Sequence, residues 1–168
     1  MSEGLPPCYD ESGNVIGGDL GNPYLCEGYR LPTETEWAYA CQANTYGGLY
    51  CNGDRECFRQ HEWIENDFPN GGYEVQWVAQ RLPNNYGLYD MMGNVGEWIF
   101  DSFVDWGIYA QGIDNYIVEN NNYQKNNGMT IYDGLWGHTC LSDNYNTRLQ
   151  TTSILSFRVV KTIFENNP

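Results

Sequence analysis

Positive charge is scarce in this sequence. Lys and Arg number 8 against 22 Asp and Glu, giving a formal net charge of −14. Nucleic acids and anionic membranes are held by basic patches, so this balance argues against both as partners. The ordinary role of such charge is a solvated, soluble face. Histidine is scarcer still. Neither His61 nor His138 has a second histidine at metal-ligand spacing, and each reads as a surface residue. No apolar run approaches the length of a membrane-spanning helix. No secretory signal is visible in this stretch, though an N-terminal part could have been lost.

Aromatic side chains are plentiful, at 15% of the 168 residues, and most are Tyr and Trp, which combine an apolar body with a polar tip. Nineteen glycines and many asparagines point to a loop-rich fold rather than a helical bundle. The length suits a single domain, 1–168, with a true core. Six cysteines are an even number, but their spacing is not that of a metal ribbon. Cys8 and Cys26 bracket a Gly-rich loop and could pair, as could Cys51 and Cys57 across a short polar loop. Cys41 and Cys140 read as buried small residues, Cys140 without a partner. The redox compartment stays open.

Local patterning is clearest at one helix. Thr33 and Glu36 form a Thr-x-x-Glu capping box just after Pro32, and Glu34 and Glu36 suit the positive end of the helix dipole. Trp37, Ala40 and Cys41 fall on one apolar face, and Asn44, Gly47 and Gly48 close the helix. Arg30 reads as a structural ion-pair partner. Residues 1–27 read as extended segments and turns, and 45–84 as a long loop with one strand at Val75–Val78. A buried strand is expected at Trp98–Phe100, an Asn- and Tyr-rich loop over 107–128, β structure at Met129–Tyr132, and a last strand over Ile154–Val160.

The chain is organised around Asn85-Tyr86-Gly87-Leu88-Tyr89-Asp90-Met91-Met92-Gly93-Asn94-Val95-Gly96-Glu97-Trp98. Gly87, Gly93 and Gly96 permit positive φ. Asp90 and Glu97 flank the Gly93-Asn94 turn, so their oxygens could converge on a hard cation such as calcium. The plainer alternative is a tight turn between two buried aromatic segments. The spacing is not that of an EF-hand.

This stretch resembles the central signature of the formylglycine-generating enzyme (sulfatase-modifying factor) family. Gly4-Leu5-Pro6-Pro7-Cys8-Tyr9, Gly28-Tyr29-Arg30-Leu31-Pro32-Thr33-Glu34-Thr35-Glu36-Trp37 and Ser156-Phe157-Arg158-Val159-Val160 resemble three further family stretches, in order. Ser156 stands where the family has glycine, and Gly96 where most members have tryptophan. The family's usual N-terminal third has no counterpart, as in a short variant or a piece of a longer chain. The resemblance implies an α+β, C-type-lectin-like fold with short sheets, one or two helices and many irregular loops. Trp37, Trp98, Trp136 and Phe157 would anchor its core. It also implies structural calcium on the Asp90 and Glu97 side chains and the Gly93 and Val95 carbonyls.

Family enzymes oxidise a substrate cysteine with copper held by two active-site cysteines. Alignment on Trp136 puts those positions near His138 and Asp143, and Cys140 is the only thiol nearby. Two soft thiolates are needed for copper(I), so no copper is expected. No nucleophile–base pair stands out. The same signature occurs in the variable proteins of diversity-generating retroelements, found in viruses and prokaryotes, whose adenine-directed mutagenesis scatters codons such as AAC. The segment at about 129–160 fits that palette at Leu135, Gly137, His138, Thr139, Ser142, Asp143, Asn144, Tyr145, Asn146, Thr147, Gln150, Thr151 and Thr152. Tyr, Ser and Asn also serve natural paratopes. The leading expectation is therefore a non-catalytic domain that binds a protein or cell-surface ligand through this segment, displayed on a surface or a virion. The alternatives are a formylglycine-generating-type oxidase and a non-variable structural or binding relative.

Overall fold

A computed structural model gives the structure of the chain and describes residues 3–11, 13, 16, 22–45, 51, 54–63, 74–102, 123–127, 140, 144–147 and 155–163. In chain order its elements are β1 (Tyr29–Arg30), α1 (Glu34–Gln42), α2 (Arg55–His61), β2 (Gly96–Ser102), β3 (Tyr123–Asn127), β4 (Asn144–Thr147), β5 (Leu155–Phe157) and β6 (Val160–Lys161). A single 3₁₀ turn at Pro23–Leu25 precedes them, opened by the Asn22 side chain accepting from the Tyr24 N–H. None of the described helices is long and apolar enough to cross a membrane.

Helix α1 starts as its sequence dictates. The Thr33 hydroxyl accepts from the Glu36 N–H, and the Glu36 carboxylate accepts from the Thr33 N–H at 2.8 Å. The Glu34 N–H, another orphan of the first turn, donates to Asp101 at 2.6 Å and so ties the helix to β2. Trp37, Ala38 and Cys41 are buried, with Ala40 packed at the edge of the core. Ala43 ends the helix in the left-handed region, at φ 45°, and its N–H bonds back to Tyr39. Arg30 is buried on β1 as an ion-pair partner, its guanidinium gripping both Glu36 oxygens at 2.7 and 2.8 Å. Burial alone would raise the Glu36 pKa, but the Arg30 and Thr33 bonds hold it below the usual carboxylate range.

The sheets are small. β1 and β6 pair antiparallel, with Arg30 opposite Val160. The second sheet runs β4-β3-β2-β5. β2 pairs antiparallel with β3, with an irregularity between Trp98 and Ser102, and parallel with β5, which sets Trp98 opposite Phe157. Trp37, Cys41, Cys51, Phe58, Met91, Met92, Ile99 and Cys140 form one buried cluster between the helices and the central loop. The result is an α+β fold with two short sheets.

Several expectations are corrected. Val75–Val78 is not a strand: its backbone is held by side chains, Gln76 by Asn94 and Ala79 by Asp90, and Trp77 is 85% exposed. α2 interrupts the supposed long loop. Asp54 caps it by accepting from the Glu56 N–H, and Phe58 supplies its buried face. β3 falls within the stretch read as a loop. The expected strand over Ile154–Val160 is instead two strands in different sheets, with Arg158 between them. Phe157 lies on the edge strand of its sheet among the described residues and is 63% exposed, so it is no core anchor. Trp98 is only half-buried, and Trp136 lies outside the described residues. Cys41 and Cys140 are buried but bonded to each other, alongside Cys8–Cys26 and Cys51–Cys57.

Thr33→Ala removes one half of the capping box and should cost about 1 kcal/mol, read as a lower urea midpoint with an unchanged slope. An unchanged midpoint would show that the Asp101 and Arg30 bonds hold the helix start without the cap.

Candidate functional site

The central loop is built by side chains that replace backbone partners. The Asn84 carboxamide oxygen accepts from Tyr86 and Leu88 N–H at 3.0 and 3.1 Å, while its nitrogen donates to the Ala40 carbonyl. Asn94 does the same opposite Gln76, accepting from its N–H at 2.9 Å and donating to its carbonyl at 3.0 Å. Positive φ falls on Gly87, and on Asp90 and Asn94, whose short polar side chains tolerate it. Gly93 is needed for a different reason from the one its sequence suggested: a Cβ there would collide with the Trp63 carbonyl. The Asn94 N–H donates to that same carbonyl at 2.9 Å.

Beneath this loop lie three carboxylates and one arginine. Glu97 is buried and has both oxygens engaged. Oε2 accepts from Trp37 Nε1 at 2.8 Å and Arg158 Nε at 2.5 Å, and Oε1 accepts from Arg158 Nη2 at 2.6 Å. Arg158 Nη2 also reaches the Tyr89 and Asp90 carbonyls at 3.3 Å. Asp90 Oδ2 accepts from the Ala79 N–H, while its Oδ1 is buried with no partner among the described residues. Glu62 Oε2 accepts from the Met92 N–H at 3.1 Å. Burial, assisted by the nearby Asp90 charge, pushes the Glu62 pKa up to about 8.

Of the four residues implied for calcium, Asp90 fits best, because a hard cation would satisfy its open oxygen. The Gly93 carbonyl accepts from the Val95 N–H and keeps a second lone pair. Glu97 would have to share its oxygens with Arg158. Two participants were missed in the sequence. Arg158 carries a signal, since few cations serve many carboxylates in this chain. Glu62 carries none, because its burial follows from where α2 ends.

Of the proposed variable positions, Asn144, Tyr145, Asn146 and Thr147 form β4, whose backbone pairs with β3 in the register Tyr123–Thr147 to Asn126–Asn144. Leu135, Gly137, His138, Thr139, Ser142, Asp143, Gln150, Thr151 and Thr152 lie outside the described residues. Among these positions, between Thr139 and Ser142, Cys140 is fully buried and bonded to Cys41 of α1.

Residues 8–163 match the family model of the Sulfatase-modifying factor enzyme 1-like domain. The chain belongs to that family. It is 37% identical over 98 residues to the mouse protein named Inactive C-alpha-formylglycine-generating enzyme 2, a match covering 54% of this chain and 32% of that one. It is 40% identical over 87 residues to the formylglycine-generating enzyme of Mycobacterium tuberculosis, covering 45% of this chain and 28% of that one. The chain thus spans about a third or less of these relatives' length. Among solved structures it resembles Treponema denticola variable protein 1, with a TM-score of 0.70 at 22% identity, covering 92% of this chain and 62% of that one. PvdO from Pseudomonas aeruginosa aligns with a TM-score of 0.66 at 22% identity, over 78% of this chain and 51% of that one. These likenesses establish the C-type-lectin-like fold of the family.

Glu62 makes stability depend on pH. Its unfolded carboxyl ionises near 4.5 and its folded one near 8, so stability falls as pH rises between those values and levels off above them. Glu62→Gln should remove that decline in chelator-containing buffer. The variant should be the more stable protein at pH 8 and match the parent below pH 4.5. Superimposable pH–stability curves would contradict this account of Glu62.

Proposed function

We propose that this chain is a non-catalytic ligand-binding domain of the variable-protein kind, which presents the segment at about 129–160 on a fixed scaffold. The observation that carries the reading is how this segment is tied down. Cys140 bonds to the helix core, β4 joins the sheet through β3, and β5 pairs with β2. Polar sequence rich in Asn, Tyr and Thr therefore lies between fixed points, as a binding surface requires. The likeness to a protein titled variable protein 1 supports the reading at the level of fold.

The cysteines support the non-catalytic part. All six are in disulfides, whereas copper(I) oxidation of a cysteine needs two free thiolates on one ion. The similarity to a mouse protein named as inactive points the same way. A formylglycine-generating-type oxidase would have to oxidise a cysteine-containing peptide when supplied with copper. Three disulfides suit an oxidising compartment, and hence display on a cell surface or a virion. The ligand would be a protein or cell-surface group.

The decisive test is genetic. The DNA flanking the gene should contain a near-copy of its 3′ end, differing at template adenines and within the codons for about 129–160, beside a reverse transcriptase gene. A genome with no such repeat would overturn the variable-protein reading and leave a non-variable binding relative.

Structural calcium belongs to the same proposal, on Asp90 Oδ1 with the Gly93 and Val95 carbonyls, and with Glu97 shared between the ion and Arg158. Calcium at a hundredfold excess over its Kd should stabilise the fold by about 2.7 kcal/mol. Asp90→Asn should abolish the resulting rise in Tm. A melting curve identical in calcium and in chelator would remove the ion from the account.

A further inference from the structure

The corner where α2 meets Cys51 carries chemistry that the binding reading does not use. Cys57 and His61 stand at i and i+4 on α2, which puts them on one face of the helix. The Cys51–Cys57 disulfide brings a second sulfur to that face. The ligand atoms of Cys51, Cys57 and His61 all lie within 4.8 Å of one another. His61 Nδ1 is 3.7 Å from Cys57 Sγ and 2.8 Å from the Cys57 carbonyl, so the imidazole lies along the helix beside the disulfide. Among the described residues this is the one group of three or more His, Cys, Asp and Glu side chains so gathered.

Two sulfurs and an imidazole are the donors that a borderline-soft ion of the zinc type prefers. In the oxidised chain both sulfurs are spent on each other. The three disulfides also differ in access. Cys8, Cys26, Cys41, Cys51 and Cys140 are buried, and Cys57 alone is partly open to solvent. A dithiol reductant therefore reaches Cys57 first, since exchange requires a thiolate to approach a disulfide sulfur.

We propose that Cys51, Cys57 and His61 form a redox-gated site for a zinc-type ion, closed by the disulfide and opened by its reduction. Reduction is a two-electron exchange. A dithiol thiolate attacks Cys57 Sγ and Cys51 leaves as a thiolate; the reductant's second thiolate then attacks its own first sulfur, closing the reductant's disulfide and releasing Cys57 as a thiolate, and the two protons given up by the dithiol pass to Cys51 and Cys57. Metal binding then expels one proton from each cysteine as the thiolates bind the ion. The sulfurs must part by about 1.7 Å to reach the separation set by two zinc–sulfur bonds of about 2.3 Å in a tetrahedron. Side-chain rotation at Cys51 and the half-open Cys57 supplies this, and turning the imidazole exchanges its carbonyl contact for the ion. Water fills the fourth position.

Cobalt(II) is the probe, because thiolate ligation gives it intense near-ultraviolet charge-transfer bands and tetrahedral geometry gives visible ones. The whole chain is reduced by a limited dithiol pulse and desalted without oxygen. Alkylation and mass spectrometry then establish which cysteines are open. The expected result is selective opening of Cys51 and Cys57, followed by cobalt bands that saturate at one equivalent and are displaced by zinc. The oxidised chain should show no bands. His61→Ala keeps both cysteines and should still form the disulfide and fold, but should weaken cobalt binding by at least about tenfold, the loss expected when a metal site loses one of its supports. Cys51→Ser with Cys57→Ser should abolish the charge-transfer bands while the other two disulfides hold the core. The proposal is overturned if the selectively reduced chain gives no bands. It is overturned equally if the double serine variant keeps them, if His61→Ala binds cobalt as tightly as the parent, or if bands appear only once Cys41–Cys140 opens. None of these outcomes bears on ligand binding by the segment at about 129–160.

Discussion

The fold depends on one ion pair, buried Glu97 with partly buried Arg158. Glu97 sits on β2 and Arg158 in the two-residue step between β5 and β6, which belong to different sheets. The same carboxylate takes the indole N–H of Trp37 from α1, and the same guanidinium reaches carbonyls of the central loop. Helix, both sheets and loop thus meet at one charge pair. A largely desolvated pair of this kind adds little net stability, because the cost of burying the Glu97 carboxylate offsets most of its Coulombic gain. Its removal is another matter, since a lone charge in that position is costly. The pair therefore selects one arrangement of the parts more than it strengthens that arrangement.

The second sheet and the core follow from that choice. Once Arg158 is held, Phe157 must lie opposite Trp98 and Val160 opposite Arg30, so a single stretch closes both sheets. Arg30 repeats the logic on a smaller scale, with Glu36 on one side and the Thr162 hydroxyl at 3.1 Å on the other. The Cys41–Cys140 bond adds a constraint of a different kind. It closes a separation of 99 residues, worth about 4 to 5 kcal/mol in the chain-entropy account of cross-links. That stabilisation comes from restricting the unfolded chain and does not depend on which residues lie between the two cysteines.

The sequence was most legible where local chemistry settles structure unaided. α1 was read from its capping box and apolar spacing, because both ends of that argument lie within one turn. The family motifs gave the fold class, which tertiary pairing then realised. α2 was missed because seven residues with one buried Phe58 leave little periodic signal, although Asp54 was a fair cap. Val75–Val78 had the composition of a strand, but composition cannot say whether a partner strand exists. Here side-chain acceptors from Asn94 and Asp90 took that place. At the site, the sequence singles out Asp90 and Glu97 on either side of the Gly93-Asn94 turn, and the structure buries both. Their partner Arg158 lies 61 residues from Glu97, beyond the range of any spacing rule. The Cys41–Cys140 pairing was hidden for the same reason.

The three carboxylates under the loop also divide by environment. Glu97 is neutralised by a tethered cation, and Glu62 is neutralised by the proton that burial forces on it below about pH 8. Asp90 has neither remedy in full, since one oxygen accepts a backbone N–H and the other has no partner among the described residues. A buried acceptor left in that state costs about 1 to 3 kcal/mol, a cost that an ion or a water at Oδ1 would remove. The central loop is therefore completed from within at Glu97 and Glu62 and left open at Asp90. A cation on this scaffold would therefore act first at Asp90. Such an ion would act on the rigidity of the loop and, through Arg158, on β5 and β6 at either end of the step that carries it.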